Sequence, residues 1–295
     1  MDKFIIFHIE GGLGKHVAAT AVAATINENC PDRKLVIVCA YPEVFLNLPY
    51  IYRVYRIGTT PYFYQNYIKD KDTLICKHEP YFTTEHIVQR KNLIENWCNI
   101  YGLKYNNIQP QLIFNVRQQQ LGWKKWHRPK PILVLQTNGG VLGEQPYIYS
   151  WTRDLPFHIS QEIVDYFKND YYIIQICRDQ QQAITGVHEV ITEPMSNMEL
   201  FYLLVMSTKR ILIDSCLQHA SVAIGLKSVV VWIGTDSNIF GYNSNINIHA
   251  NLPQNNLPDS YLFDYSFNGI THECPILDWN STLNSSDIIN ATING

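Results

Sequence analysis

Ile211-Leu212-Ile213-Asp214-Ser215-Cys216-Leu217-Gln218-His219-Ala220-Ser221-Val222-Ala223-Ile224-Gly225 reads as an apolar strand, a polar turn and a helix of small residues that stops at Gly225. A second apolar run, Val229-Val230-Val231-Trp232-Ile233, follows and ends in Gly234-Thr235-Asp236. A strand, a helix of this length and a second strand make a parallel crossover unit. In open α/β sheets, ligands bind outside the carboxyl ends of the strands. Asp214, Ser215, Gln218 and His219 fall at that edge, at or just inside a helix N-terminus whose free N–H groups and dipole attract anions. The cluster points to a phosphorylated ligand, and the polar flanks of His219 favour the site over the core for that side chain.

The same pattern extends outward. Phe4–Ile9 is an apolar strand, followed by Glu10-Gly11-Gly12-Leu13-Gly14-Lys15-His16 and a helix, Val17–Asn29, made mostly of Ala, Val and Thr. Small residues let that helix pack closely, and the glycines allow a tight turn and close approach of a ligand. Leu35–Cys39, Val54–Ile57 and Thr73–Cys76 read as further strands, and Thr84–Tyr101 as a helix with Ile87, Ile94, Trp97, Cys98 and Tyr101 at helical spacing. Gly102–Pro131 changes character and carries Lys124-Lys125-Trp126-His127-Arg128; its end reads as an interdomain linker. The pattern then restarts with strand Ile132–Gln136 and a second glycine turn, Thr137-Asn138-Gly139-Gly140. Helix His158–Asn169, strand Tyr171–Cys177 and a capping box, Ser196-Asn197-Met198-Glu199, opening a helix to Met206 complete the second series. The expectation is an α/β protein of two Rossmann-like domains, 1–128 and 129–295, with parallel sheets facing across a cleft. The tail after Asn251 is loop-like up to a last helix near Ser286–Ile293, which is free to pack back on the first domain.

Composition narrows the function. The 295 residues suffice for two ordinary domains, and 46% apolar with 17% charged residues is a soluble globular balance. A net charge of −3 gives no footprint for polyanion binding. Seven scattered Cys without a C-x-x-C pair argue for a reducing compartment and buried thiols. No signal precedes the first strand and no apolar run is of membrane-spanning length, so a cytoplasmic protein without stable membrane insertion is expected. Three formal glycosylation triplets after Asn280 then read as a polar tail. The histidines lack H-x-x-x-H and H-E-x-x-H spacing, and there is no G-x-S-x-G elbow. Asp70-Lys71-Asp72 reads as a charged turn, so no metal and no tightly bound cofactor are expected. Gly11-Gly12-Leu13-Gly14-Lys15 invites a P-loop reading, but His16 stands where Ser or Thr would hold magnesium.

Asp214-Ser215-Cys216-Leu217-Gln218-His219, the small-residue helix Ala220–Gly225 and Gly234-Thr235-Asp236 resemble the donor-site signature of bacterial heptosyltransferase-like proteins, glycosyltransferase family 9. In that family a strand runs into D-S-G-x-x-H, then a small-residue helix, a strand and G-x-T/S-D. The N-terminal glycine turn, Cys30-Pro31-Asp32 and Leu46-Asn47-Leu48-Pro49-Tyr50-Ile51-Tyr52-Arg53-Val54 fit the same pattern, so the resemblance covers roughly residues 4–57 and 132–236. The loop at Gly11–Lys15 with Tyr41-Pro42-Glu43-Val44-Phe45-Leu46-Asn47 looks like a divergent branch found in phages and marine bacteria. The resemblance implies a two-domain GT-B fold, a nucleotide-diphosphate-sugar donor on the C-terminal domain, and transfer with inversion without a bound metal.

Two residues depart from that family. Cys216 replaces the motif glycine, and Lys15 stands where the family has an aspartate, its presumed base. Inverting transfer needs a base at the acceptor hydroxyl and positive charge on the departing diphosphate. Lys15 suits the second role only. Glu10 is the first candidate for the base, with His16 flanking the same turn. Donor contacts are expected from Gly11, Gly12, Gly14, Asn138, Arg153, Arg178, Asp214, Ser215, Gln218 and His219, with Arg178 and the loop 192–198 meeting the base or ribose. Asp214 is equally readable as the cap of its helix. Glu79, Tyr81, His86 and Arg90 are the expected acceptor contacts. The acceptor reads as a glycan or, with Lys124–Arg128 touching phosphates, a hydroxymethylated base in phage DNA. A P-loop-like ATPase and an inactive nucleotide-sugar-binding module are the alternatives of another class.

Overall fold

The computed structural model describes residues 1–87, 89, 91–139, 150–178, 181–191, 195–252, 274 and 276–295. The chain divides into two compact units, Met1–Asn115 and Val116–Gly295, the division falling one helix before the expected 128/129 boundary. Among the described residues no helix is long and apolar enough to cross a membrane.

In the first unit, β1 (Lys3–Ile9), β2 (Lys34–Cys39), β3 (Ile51–Arg56) and β4 (Asp72–Cys76) form a parallel sheet in the order β3-β2-β1-β4. Alternation along the strands sends Phe4, Ile6, Val36 and Val38 to one face, where Tyr67 at the end of helix α2 (Phe63–Tyr67) covers them. Helix α1 (Leu13–Asn29) is buried from Lys15 to Ile26, which its run of alanines makes possible. The Thr84–Tyr101 stretch is not one helix. It is a single turn, α3 (Thr84–Ile87), and then α4 (Leu93–Ile100). Asn92 causes the break: its side chain accepts from the N–H groups of Ile94 (3.1 Å) and Glu95 (3.4 Å), which starts a new helix. Trp97 of α4 then reaches the sheet, its ring 5.3 Å from that of Phe7. Asp70 and Lys71 form a charged turn that leads into β4 at Asp72, whose carboxylate is held by the two terminal guanidinium nitrogens of Arg33 at 2.9 and 2.8 Å.

The second unit opens with α5 (Val116–Trp126), in the stretch read as ending in a linker. α5 packs on α7 (Asn197–Met206): Gly122 leaves room for the Tyr202 ring, and Trp126 donates its indole N–H to the Glu199 carbonyl at 2.8 Å. Six strands follow, namely β5 (Ile132–Gln136), β6 (Tyr172–Ile176), β7 (Glu189–Ile191), β8 (Ser207–Ile213), β9 (Val229–Trp232) and β10 (Ile246–His249). All pair in parallel, in the order β10-β9-β8-β5-β6-β7. β5 and β9 are wholly buried, which explains their unbroken apolar runs. The connecting helices are α6 (Phe157–Phe167), α8 (Cys216–Ala223) and α9 (Ser237–Phe240). The expected capping box of α7 is present, with Ser196 and Glu199 bonding reciprocally. After α10 (Trp279–Thr282), Leu283 and then Ile288 of the final helix α11 (Ser285–Asn294) join this unit's core, and α11 packs on α6. The tail's last helix thus belongs to the second unit. The loop-like reading of the tail after Asn251 lies largely outside the described residues.

Candidate functional site

Each sheet has one point where the chain reverses its direction of strand addition. In the first unit the chain leaves β1 for β2 and β3 on one side and returns to β4 on the other. In the second it leaves β5 for β6 and β7, then returns to β8. Such reversals open a crevice at the carboxyl ends of the two central strands, which is where α/β sheets hold ligands.

At the first reversal, the register pairing Phe7 with Cys76 sends Glu10 and Glu79 out of neighbouring strands. Gly11 takes a φ of +96°, and a Cβ on it would lie 3.3 Å from Lys15 Cδ, so the glycine both makes the turn and admits the lysine. The Lys15 ammonium donates to the Glu79 carboxylate. It also sits 5.2 Å from the Tyr81 ring centroid and 5.3 Å from that of Trp97. Tyr81 in turn meets the His86 ring at 5.2 Å. The turn lysine and three of the expected acceptor residues therefore form one cluster; Arg90 lies outside the described residues. Burial lowers His86 to about 4, so its imidazole is neutral at neutral pH. Glu10 is separate and open, its side chain 59% exposed, with the ammonium of Lys77 3.6 Å and Nδ1 of His8 3.5 Å from its carboxylate.

His16 corrects the expectation of a catalytic histidine. Its ring is fully buried, with Nδ1 donating to the Gly12 carbonyl at 2.9 Å and Nε2 accepting from the Ala40 N–H at 3.1 Å. Burial holds it neutral, and both nitrogens are used in tying α1 to the exit of β2. Gly12 is the N-cap of α1 and Gly14 lies in its first turn.

At the second reversal, α8 starts at the exit of β8. Its N-cap, Ser215, makes no side-chain cap bond to the helix; its hydroxyl accepts from Gln136 Nε2 at 3.0 Å instead. Asp214 is buried 3.7 Å from Nε of Arg153, whose own side chain is 40% exposed. Burial raises the Asp214 carboxyl above the ordinary range, while Arg153 and the neighbouring Thr235 oppose that shift. Asp214 thus does not cap the helix. The exit of β9 is held against the turn Ser150–Thr152 by the Gly234 N–H, which donates to the Thr152 carbonyl at 2.8 Å. Cys216, at the motif's glycine position, carries a thiol that burial pushes up to about 11, a neutral group at neutral pH.

Two further expectations change. His219 is buried, its Nδ1 2.8 Å from the Tyr242 hydroxyl, and burial lowers it to about 3. Gln218 is fully buried and donates to the Phe240 carbonyl at 2.9 Å. Both side chains lock α8 to the Phe240–Tyr242 segment, and polar sequence neighbours did not keep His219 out of the core. Arg178, expected at the base or ribose, is buried and paired with the Asp154 carboxylate and the Gly139 carbonyl. Residues 192–194 of the expected base-binding loop lie outside the described residues.

Sequence reasoning passed over three residues. Asp154 gathers the second glycine turn, accepting from Asn138 Nδ2 at 3.0 Å and the Gly139 N–H at 2.9 Å. Its only sequence signal was a carboxylate next to Arg153. Lys77 needed the β1–β4 register, and Trp97 showed its helical face but not what it faces. Among the described residues no three His, Cys, Asp or Glu side chains gather to hold a metal ion.

No protein-family model matches the chain, and no curated protein matches it. Its α/β fold with two parallel sheets is that of GT-B glycosyltransferases of the heptosyltransferase type. The glycosyltransferase family 9 protein from Veillonella parvula matches with a TM-score of 0.71 at 13% identity, over 99% of this chain and 96% of that one. The ADP-heptose lipopolysaccharide heptosyltransferase II of Escherichia coli matches with a TM-score of 0.62 at 8% identity, over 85% and 91%. The dodecameric iron-containing heptosyltransferase TibC, in complex with ADP-D-β-D-heptose, matches with a TM-score of 0.61 at 12% identity, over 100% and 76%. At these identities the likeness is one of fold.

Proposed function

We propose that this chain is an inverting glycosyltransferase moving a sugar from a nucleotide-diphosphate-sugar to a hydroxyl acceptor, with no metal needed in the transfer. The observation that carries the reading is the half-exposed Arg153 beside the N-terminus of α8, at the strand reversal of the second unit. A guanidinium and free helix N–H groups together suit a diphosphate, which gains negative charge as the sugar departs. The matched TibC structure holds ADP-D-β-D-heptose, so ADP-sugars head the list of donors to try.

In this reading Glu10 takes the proton of the acceptor hydroxyl, whose oxygen attacks the anomeric carbon as the bond to the diphosphate breaks. Lys77 and His8 flank the Glu10 carboxylate. Glu79, Tyr81 and His86 form the acceptor-side cluster, with Lys15 positioning Glu79. A glycan acceptor is favoured over DNA because the basic cluster is partly spent within its own unit: Lys125 pairs with Glu199 at 3.4 Å and Arg128 with Glu189 at 2.7 Å. The ATPase reading is disfavoured because Lys15 is committed to Glu79 and His16 is buried.

A thermal-shift panel of nucleotide-diphosphate sugars with and without EDTA, followed by nucleotide-diphosphate release, tests the reading. One donor should stabilise the chain regardless of EDTA, and Glu10→Gln should cut kcat by about 10²–10⁴-fold while leaving donor affinity intact. Magnesium-dependent ATP hydrolysis lost in Lys15→Ala would reassign the function to the first turn. Donor binding without turnover would leave a binding module.

A further inference from the structure

Asp154 has no part in the proposed chemistry, yet it accepts hydrogen bonds from two separate segments. Asn138 Nδ2 (3.0 Å) and the Gly139 N–H (2.9 Å) come from the exit of β5, and both terminal nitrogens of Arg178 come from the exit of β6. Arg178 also donates to the Gly139 carbonyl, closing a ring of contacts around the glycine turn. The Asp154 backbone is fixed as well: its N–H donates to the Ser150 carbonyl at 2.8 Å, and the next N–H, of Leu155, to the Thr137 carbonyl at 2.8 Å.

Arg153 sits directly before this hub. Its N–H donates to the same Ser150 carbonyl at 3.0 Å, and a Cβ placed on Gly139 would lie 3.7 Å from its Cδ. Arginine owes its use in anion binding to a planar fork that must be aimed. A flexible, 40% exposed side chain at this turn is aimed by where its backbone is held and by the surface it lies on. Asp154 supplies the first, and by holding Gly139 it supplies the second.

We infer that Asp154, backed by the buried Arg178, is the positioning residue that sets Arg153 for the donor diphosphate. Arg178 is then a strut for that carboxylate and touches no nucleotide. The inference rests on the donor site proposed above.

The test is a double-mutant cycle on nucleotide-diphosphate affinity, using ADP and UDP as probes in calorimetry with the full chain. Arg153→Ala should weaken the tighter probe at least 10-fold, and Asp154→Asn about 10-fold in the native background. In the Arg153→Ala background, Asp154→Asn should change affinity by less than 2-fold, because the group it acts through is gone. A merely structural role would lower affinity by the same factor in both backgrounds, and that result overturns the inference. Should Asp154→Asn fold poorly, Asp154→Glu keeps the charge and displaces it by one methylene. Its smaller loss should likewise vanish without Arg153, and persistence of that loss counts against the inference. Failure of the native chain to bind either probe overturns the donor reading and this inference together, whereas binding with multiplicative losses overturns this inference alone.

Discussion

Lys15→Met removes one ammonium and keeps nearly all of the side chain's volume. In the folded chain the Lys15 side chain is 6% exposed and that of Glu79 29%. Removing one partner of a fully buried ion pair costs about 3–5 kcal/mol, and an exposed pair contributes about 1 kcal/mol at most. Water reaching Glu79 places this pair between the limits, at about 2–3 kcal/mol. Loss of the cation from the Tyr81 and Trp97 faces adds about 1 kcal/mol. The double variant Lys15→Met/Glu79→Gln removes both charges and should recover most of the loss, because no uncompensated carboxylate remains. Urea unfolding followed by circular dichroism is the assay. For urea m-values of about 1–3 kcal/mol/M, the single variant should lower the midpoint of the first unit's transition by about 1–4 M. A single variant that unfolds with the native chain, or a double variant no better than the single, would refute the reasoning. The first result would mean that Lys15 holds the turn by its alkyl chain and not by its charge; the second, that the unpaired Glu79 carboxylate is not the source of the loss.

The neutral His86 makes the first unit acid-sensitive. Its imidazole titrates near 4 in the fold, below about 6.5 for an unfolded chain, so its contribution is complete above pH 6.5 and is lost as pH falls toward 4. His86→Gln should shrink the stability difference between pH 7 and pH 4.5 by about 2 kcal/mol, read from urea midpoints at the two pH values. Gly122→Ala should destabilise by about 1–3 kcal/mol despite alanine's helix preference, because the new Cβ would lie 2.2 Å from a Tyr202 ring carbon; thermal melts would show it. Asn92→Ala removes the cap of α4 and should cost about 1 kcal/mol, measurable as a shift in the urea midpoint. Lys124→Glu, together with raised salt, should leave transfer to a glycan unchanged; a steep fall in activity with salt would favour the DNA acceptor.

The amino-acid sequence by itself determined the two parallel-sheet units, because buried parallel strands must be unbroken apolar runs and their turns must be glycine-rich or polar. Ile132–Gln136 was bounded to the residue, and the order strand, turn, helix around Asp214 was legible, although β8 begins four residues earlier, at Ser207, and α8 ends at Ala223. So were the capping box of α7 and the glycine turn at Gly11. The break at Asn92 was missed because apolar spacing continues across it, while the cap bonds that end one helix and start another involve backbone groups that spacing does not register.

Only the tertiary structure decided which polar residues of the motifs are open and which are buried against remote partners. His16, Arg178 and His219 all lie in or beside the motifs, yet each is buried against a partner far along the chain: the Ala40 N–H, Asp154 and Tyr242. The burial of a polar side chain depends on whether a remote segment supplies the complementary donor or acceptor. Sheet order was decided in the same way. That β4 returns beside β1, and β8 beside β5, brings Glu10 near Lys77 and Arg153 near Asp214. No local pattern encodes those neighbours, because strand pairing is settled by which apolar faces pack together over the whole unit.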